Sequence, residues 1–211
     1  MIRNEAEARA YVARVAGDEA AQRLDRFADL LREENERQNL VAKSSLDQVW
    51  LRHFADSVQL IPLAGHAPDG VWLDLGSGAG FPGVVLALCR SDQAIRLVES
   101  RQRRVAWLNH VVSDFGLSHC EVIGKRLEQI ECFAASLITA RAFAPLDKLL
   151  QSAARFSSPT TVWLLPKGRS AQSELQALSS PTSRMFHVEQ SLTSADAGIL
   201  VGQGRPVLRG T

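Results

Sequence analysis

Apolar positions along the chain follow two successive rhythms. Up to residue 62 they recur at helical spacing: Ala8, Val12 and Val15 mark one face, Gly17 interrupts it, and Leu24, Phe27, Leu30 and Leu31 resume it after Asp18. Helices are therefore expected over residues 4–38. A connector at 39–43 leads to a further helix, capped by Ser44 or Ser45 and ending at Pro62. From residue 71 the apolar runs shorten to strand length, at 71–75, 95–99, 120–123, 136–142 and 161–165. Helical stretches at 84–88, 101–115, 146–156 and 170–179 separate most of them. Two last apolar pieces, 185–188 and 199–201, read as an antiparallel pair. This order predicts a doubly wound, Rossmann-like α/β fold with a mostly parallel sheet and an antiparallel last strand. A helical extension at 1–62 is expected to pack on one globular unit at 63–211.

Composition narrows this picture. With 211 residues, 45% hydrophobic and 22% charged, the chain suffices for one well-buried domain and a small extension, not for two full domains. It has no apolar run of about eighteen residues and no apolar signal core at its charged N-terminus, so a cytoplasmic monomer without a membrane span is expected. Cys89, Cys120 and Cys132 are odd in number and share no C-x-x-C spacing, which points to reduced thiols and to no metal site. Net charge is only +1 but unevenly spread: residues 1–60 carry 9 Lys+Arg against 11 Asp+Glu, residues 132–211 carry 8 against 4. That basic bias permits an RNA partner without requiring one. Arg101, Arg103 and Arg104 form a local cluster that reads equally as a solvated helix start or as a contact for an RNA backbone.

The candidate chemistry centres on Asp74-Leu75-Gly76-Ser77-Gly78-Ala79-Gly80-Phe81-Pro82-Gly83, a glycine loop between a buried strand and a helix. Open α/β sheets bind ligands at such turns. Gly76, Gly78 and Gly80 permit positive φ and close approach of backbone amides, and Pro82 suits a first helical turn. Gly78–Gly83 also matches the dinucleotide pattern G-x-G-x-x-G, so an NAD-dependent oxidoreductase is one reading. Asp74 argues for another. A carboxylate facing the loop repels pyrophosphate and suits a ligand with an ammonium group and no phosphate, such as S-adenosyl-L-methionine. Glu99, at the end of the second strand, stands where an acid holds a ribose diol, which both cofactors possess.

Upstream, His53, Asp56 and Ser57 share one helical face. A hydrolytic triad is excluded: the three crowd one turn, with no nucleophile elbow and no oxyanion loop. The His–Asp pair instead suits an anchor between the helical extension and the sheet, with access to the cofactor mouth. Downstream, three strands run into loops that carry cations: Gly124-Lys125-Arg126-Leu127-Glu128, Arg141-Ala142-Phe143-Ala144-Pro145 and Leu165-Pro166-Lys167-Gly168-Arg169. Arg141 lies in an apolar context and needs a carboxylate partner, either Asp74 or a cofactor carboxylate.

The proline-containing glycine loop, joined to Arg52-His53 and Asp56-Ser57, to Arg141-Ala142-Phe143-Ala144 and to Leu165–Gly168, resembles the bacterial small-subunit (16S) rRNA guanine-N7 methyltransferases, the RsmG or glucose-inhibited division protein B family. The resemblance runs from about residue 39 to 167. It implies a class I S-adenosylmethionine-dependent methyltransferase fold, and methylation of N7 of a guanine in the 530 loop of 16S rRNA, on free RNA or on the small ribosomal subunit. It places cofactor contacts on Gly76, Phe81, Leu127, Glu128 and Arg141, beside Asp74, Gly78 and Glu99. Arg126, Arg141 and Lys167 are the candidates for the RNA side. No catalytic base is assigned, because guanine N7 carries a lone pair and no proton. Where that family often has an Arg-His pair entering its last strand, this chain has Ala197-Gly198. A methyltransferase acting on another RNA or on a small molecule remains an alternative, since fold alone does not fix substrate.

Overall fold

The computed structural model describes residues 1–65 and 67–207. Helix α1 (Glu5–Ala16) buries Ala8, Tyr11 and Val12, and is capped by the Asn4 side chain, which accepts from the Glu7 amide. Gly17, at φ 92°, turns the chain into α2 (Asp18–Asn35), whose buried face includes Leu24, Phe27 and Leu31. The amides of Leu40 and Val41 both donate to the Asn35 side-chain oxygen, closing the connector.

The helix expected from Ser44 to Pro62 is instead a series of short pieces. These are α3 (Lys43–Leu46), a π-helical segment Trp50–Ala55, α4 (Asp56–Val58) and α5 (Leu60–Leu63). Neither serine caps it; Ala42 is the N-cap, and the Ser45 hydroxyl donates to the Ala42 carbonyl. Pro62 lies inside α5 rather than beyond it. The Glu5 carboxylate accepts from the amides of Trp50 and Leu51, groups that a widened π turn leaves unpaired near its start, so α1 is tied to the π segment.

The sheet strands are β1 (Val71–Leu75), β2 (Ile95–Val98), β3 (Cys120–Ile123), β4 (Ala135–Ala140), β5 (Val162–Lys167), β6 (Phe186–Gln190) and β7 (Gly198–Gln203). Their order is β3-β2-β1-β4-β5-β7-β6, with β7 antiparallel to both neighbours and the other neighbouring pairs parallel. The expected strand set and antiparallel last strand are therefore present. Helices α6 (Gly83–Cys89), α7 (Gln102–Asp114), α8 (Leu146–Ala153), α9 (Ala171–Gln176) and α10 (Ser180–Ser183) make the crossovers. The chain winds one way through β1, β2 and β3 and the other way from β4, so the carboxyl ends of β1 and β4 flank the switch point, where open sheets hold ligands.

Strand alternation assigns side chains to two cores. Trp72, Leu97, Leu137 and Leu164 face a layer shared by α1, α2, α6 and α7, whereas Leu73, Leu75, Ile138 and Leu165 face α8. The N-terminal helices thus belong to one continuous core with the sheet. Phe27 is its hinge pin: its ring centroid lies 5.9 Å from Phe54, 5.9 Å from Phe81 of the glycine loop and 6.1 Å from Trp107 of α7. The far ends of the chain also meet. The Ile2 amide donates to the Leu192 carbonyl at 2.7 Å, and Gln59 spans to Leu192 and Ser191 on the β6–β7 connection. The last four residues of the expected globular unit, 208–211, lie outside the described residues.

Candidate active site

The glycine loop leaves β1 with Gly76 at φ 67°, Gly78 at φ 57° and Gly80 at φ 109°, conformations that side-chain-bearing residues rarely adopt. It is held from several directions. The Gly76 and Ser77 amides donate to the Val98 carbonyl, the Trp107 indole donates to the Ala79 carbonyl, and the Gly78 amide donates to a Glu99 carboxylate oxygen at 3.2 Å. The second Glu99 oxygen accepts from the Ser100 and Arg101 amides at the start of α7. One acid therefore fixes the glycine loop and the next loop together.

Asp74 does not face the ligand space. It lies on the same face of β1 as Trp72, toward α6, and there its oxygens accept from the Thr139 hydroxyl at 2.8 Å and the Gly83 amide at 3.2 Å. Burial pushes its carboxyl pKa up, against the pull of those hydrogen bonds. A Cβ on Gly83 would collide with this carboxylate and with Leu97, which is why the helix must start on glycine.

Two clefts open at the carboxyl ends of the strands. The smaller, of about 450 Å³, has Gly76 and Glu99 at its base, Leu127 as an apolar wall, and Arg104, Arg126 and Glu128 around it. The larger, of about 810 Å³, lies between the π segment, the loop after β4, the loop after β5 and the β6–β7 connection. Ala142 and Phe143 border both.

Arg141 lines the larger cleft, and its carboxylate partner is Asp56, at 3.3 Å, rather than Asp74. The reason is topological: the π segment presents Asp56 and His53 together at the end of β4, while Asp74 is turned away and occupied. The Arg141 guanidinium also donates to the Arg52 carbonyl and to His53 Nδ1, and it lies 4.8 Å above the Phe81 ring, which stacks on His53 at 4.5 Å. Because arginine only donates, Nδ1 of His53 is the bare nitrogen; Nε2 then carries the proton and donates to the Ser45 hydroxyl at 2.9 Å. Burial, then the charges of Arg141 and Arg52, push the His53 pKa down to about 3, so the ring is neutral at pH 7. Asp56 further accepts from Gln59 and from Thr193 of the β6–β7 connection. Ser57 takes no part; its hydroxyl donates to the His53 carbonyl.

The other expected residues divide between the clefts. Arg126, Leu127 and Glu128 all border the smaller one, and Arg126 does not reach the larger. Phe81 is buried in the aromatic stack beneath Arg141 and lines neither. Lys167 lines the larger cleft, but its ammonium is engaged, donating to the Ala144 carbonyl at 3.0 Å and to Glu174 at 2.9 Å. Glu174 also accepts from the Leu146 amide and the Ser170 hydroxyl. Burial alone would raise the Glu174 pKa, yet these donors hold it below the usual carboxylate range. Thr193 and Glu174 carry no sequence signal, since each matters only through a loop that folding brings to it.

The family described as rRNA small subunit methyltransferase G (GidB) matches residues 20–199. This chain belongs to that family. Relatives so named include that of Erythrobacter litoralis, 53% identical over 97% of this chain and 99% of the relative, and that of Novosphingobium aromaticivorans, 52% identical over 94% and 88%. Among solved structures, a SAM dependent methyltransferase from Aquifex aeolicus superposes with a TM-score of 0.54 at 15% identity, over 83% of this chain and 97% of that one. MtNAS solved with S-adenosylmethionine gives 0.54 at 14% identity, over 88% and 76%. Those likenesses establish the class I methyltransferase fold. The span that matches the rRNA small subunit methyltransferase G family contains both clefts' glycine, carboxylate and arginine residues, and leaves outside it α1, the first residues of α2 and the chain from Leu200 of β7 onward.

Proposed function

We propose that this chain transfers the methyl group of S-adenosyl-L-methionine to N7 of a guanine in the 530 loop of 16S rRNA. Membership of the rRNA small subunit methyltransferase G family carries this reading, and the site's geometry supports it. The smaller cleft fits an adenosine: Glu99 stands at its base for the ribose diol, Leu127 offers an apolar wall to the adenine, and Glu128 offers an acceptor to its amino group. The Gly78 amide, which in a dinucleotide site would meet phosphate, is already taken by a carboxylate. That favours a phosphate-free adenosine cofactor over NAD. Asp74 then serves the cofactor by fixing the loop, and Gly76 by leaving room beside Phe143.

When bound, S-adenosylmethionine supplies an electrophilic methyl group on sulfur. The chain's own part is to present N7 in line with it. Orientation of this kind removes roughly 7–11 kcal/mol of barrier in favourable cases. No general base is required, and His53, the one histidine lining the larger cleft among the described residues, has both ring nitrogens engaged. Arg141 and Asp56 neutralise each other, so the cleft wall carries little net charge against the cationic product ring. Arg126, with Arg101 and Arg104, lies on the exposed rim where RNA phosphates would pass.

The test is transfer of labelled methyl to small subunits from cells lacking this protein, beside protein-free 16S rRNA, with the modified nucleotide mapped. Label on a 530-loop guanine N7 is the expected result. Cofactor binding with no label on either RNA would overturn the substrate assignment.

A further inference from the structure

Phe143 is out of place by the usual logic of burial. It is 37% exposed, and of the four large exposed hydrophobic residues among those described, the others being Met1, Leu192 and Val207, it alone stands on a cleft wall. Its position is constrained. Ala142 before it sits at φ 53°, a left-handed conformation that residues other than glycine rarely adopt. After it, the Ala144 carbonyl is gripped by Lys167 and the Leu146 amide by Glu174. One edge of the ring lies against Gly76: a side chain there would come within 2.5 Å of Phe143 Cδ2. The ring thus stands at the seam between the clefts, with its edge over the first glycine.

From this geometry we infer that Phe143 is the platform on which the target guanine stacks, which rests on the function proposed above. A base removed from its loop loses its stacking neighbours and needs a flat apolar surface in their place. Among the described residues, two flat rings line the larger cleft, Phe143 and the His53 imidazole, but His53 is stacked on Phe81 and held by Arg141, which leaves Phe143 as the platform, beside the small apolar groups Ala142, Ala144, Pro145 and Pro166. A guanine lying on this ring has an edge at the seam, where the smaller cleft begins. Its N7 and the cofactor's methyl group then meet at Ala142 and Phe143, which border both clefts. Lys167 and Glu174 are positioning residues on this view, since they act through the loop and not on the RNA. The strained backbone at Ala142 is what lifts the ring out of the core.

Leucine and tyrosine at position 143 separate stacking from mere apolar closure. Phe143→Leu keeps an apolar contact over Gly76 and removes the flat face; Phe143→Tyr keeps both. Three quantities are measured for each protein: S-adenosylmethionine affinity by calorimetry, small-subunit affinity by filter retention, and methyl transfer to those subunits. Cofactor affinity is expected to stay within about twofold in both variants, which also shows that they fold. Stacking on an aromatic ring is worth on the order of 5- to 100-fold in affinity per base. Phe143→Leu is therefore expected to weaken subunit binding or transfer efficiency by a factor in that range, and Phe143→Tyr to restore it to within about threefold. Wild-type behaviour of Phe143→Leu in binding and transfer overturns the platform, as does a loss of cofactor affinity that accounts for its whole defect. If the wild-type protein itself places no label on a guanine N7, the functional reading falls first, and the platform with it.

Discussion

At the scale of single residues, the site is built from groups whose charges and hydrogen bonds are already spoken for. His53 is the clearest case. Its folded-state pKa of about 3 lies below the ordinary value near 6.5, so the unfolded chain binds the extra proton first. Stability is then fully present above pH 6.5 and is lost as pH falls toward 3, by about 2 kcal/mol at pH 5. Urea unfolding at pH 7 and pH 5 checks this: His53→Gln, although less stable overall, is expected to lose less between the two pH values than the wild type does. Arg126 behaves in the opposite way, as an exposed rim cation. Arg126→Ala is expected to lower small-subunit affinity modestly and to reduce the slope of log affinity against log salt by about 0.7–0.9, the signature of one lost phosphate contact. An unchanged slope would remove Arg126 from the RNA side.

Among elements, the sequence was most informative where periodicity was strongest. All seven strands and helices α6 to α9 lie where the apolar runs place them, whereas α10 forms in the Ser/Pro/Thr stretch 180–183, which has no apolar rhythm; the glycine loop stands at the switch point. The region from Ser44 to Pro62 was not legible, because a π turn is stabilised by partners elsewhere: Glu5 on its first amides, and Arg141 on His53 and Asp56. Asp74 is only partly legible for a related reason. Its place at the strand end was readable, but its direction follows from alternation across β1 and from the Thr139 hydroxyl on β4, a register that one sequence does not reveal. The Ala197-Gly198 departure also has a steric cause, as a side chain at Gly198 would strike Val188 and Ala171. Lys167 separates a loop anchor from a phosphate contact. Lys167→Met is expected to reduce methyl transfer by about tenfold or more through the misplaced Phe143 loop, a 1.4 kcal/mol effect at least, while leaving the salt slope of subunit binding unchanged. A slope reduced by as much as in Arg126→Ala would restore Lys167 to the RNA.

For the molecule as a whole, the shared core makes the helical extension part of the fold. Phe27, fully buried between Phe54, Phe81 and Trp107, connects them. Phe27→Ala is expected to cost about 3–5 kcal/mol and to weaken cofactor binding, since the glycine loop loses the ring beneath Phe81 and Gly80. Unfolding followed by tryptophan fluorescence and by far-ultraviolet dichroism is expected to give one coincident transition; two separate transitions would show that the extension folds by itself.

The ties between distant segments also set a schedule. Asp56 receives Arg141 from the middle of the chain and Thr193 from near its end, while Ile2 and Gln59 wait for Leu192. During synthesis, which runs at roughly 5–20 residues per second, the lining of the smaller cleft, which ends at Phe143, is made seconds before the wall of the larger cleft. A ribosome must deliver residue 193 before the second cleft closes, so the β6–β7 wall is the last part of the site to be assembled.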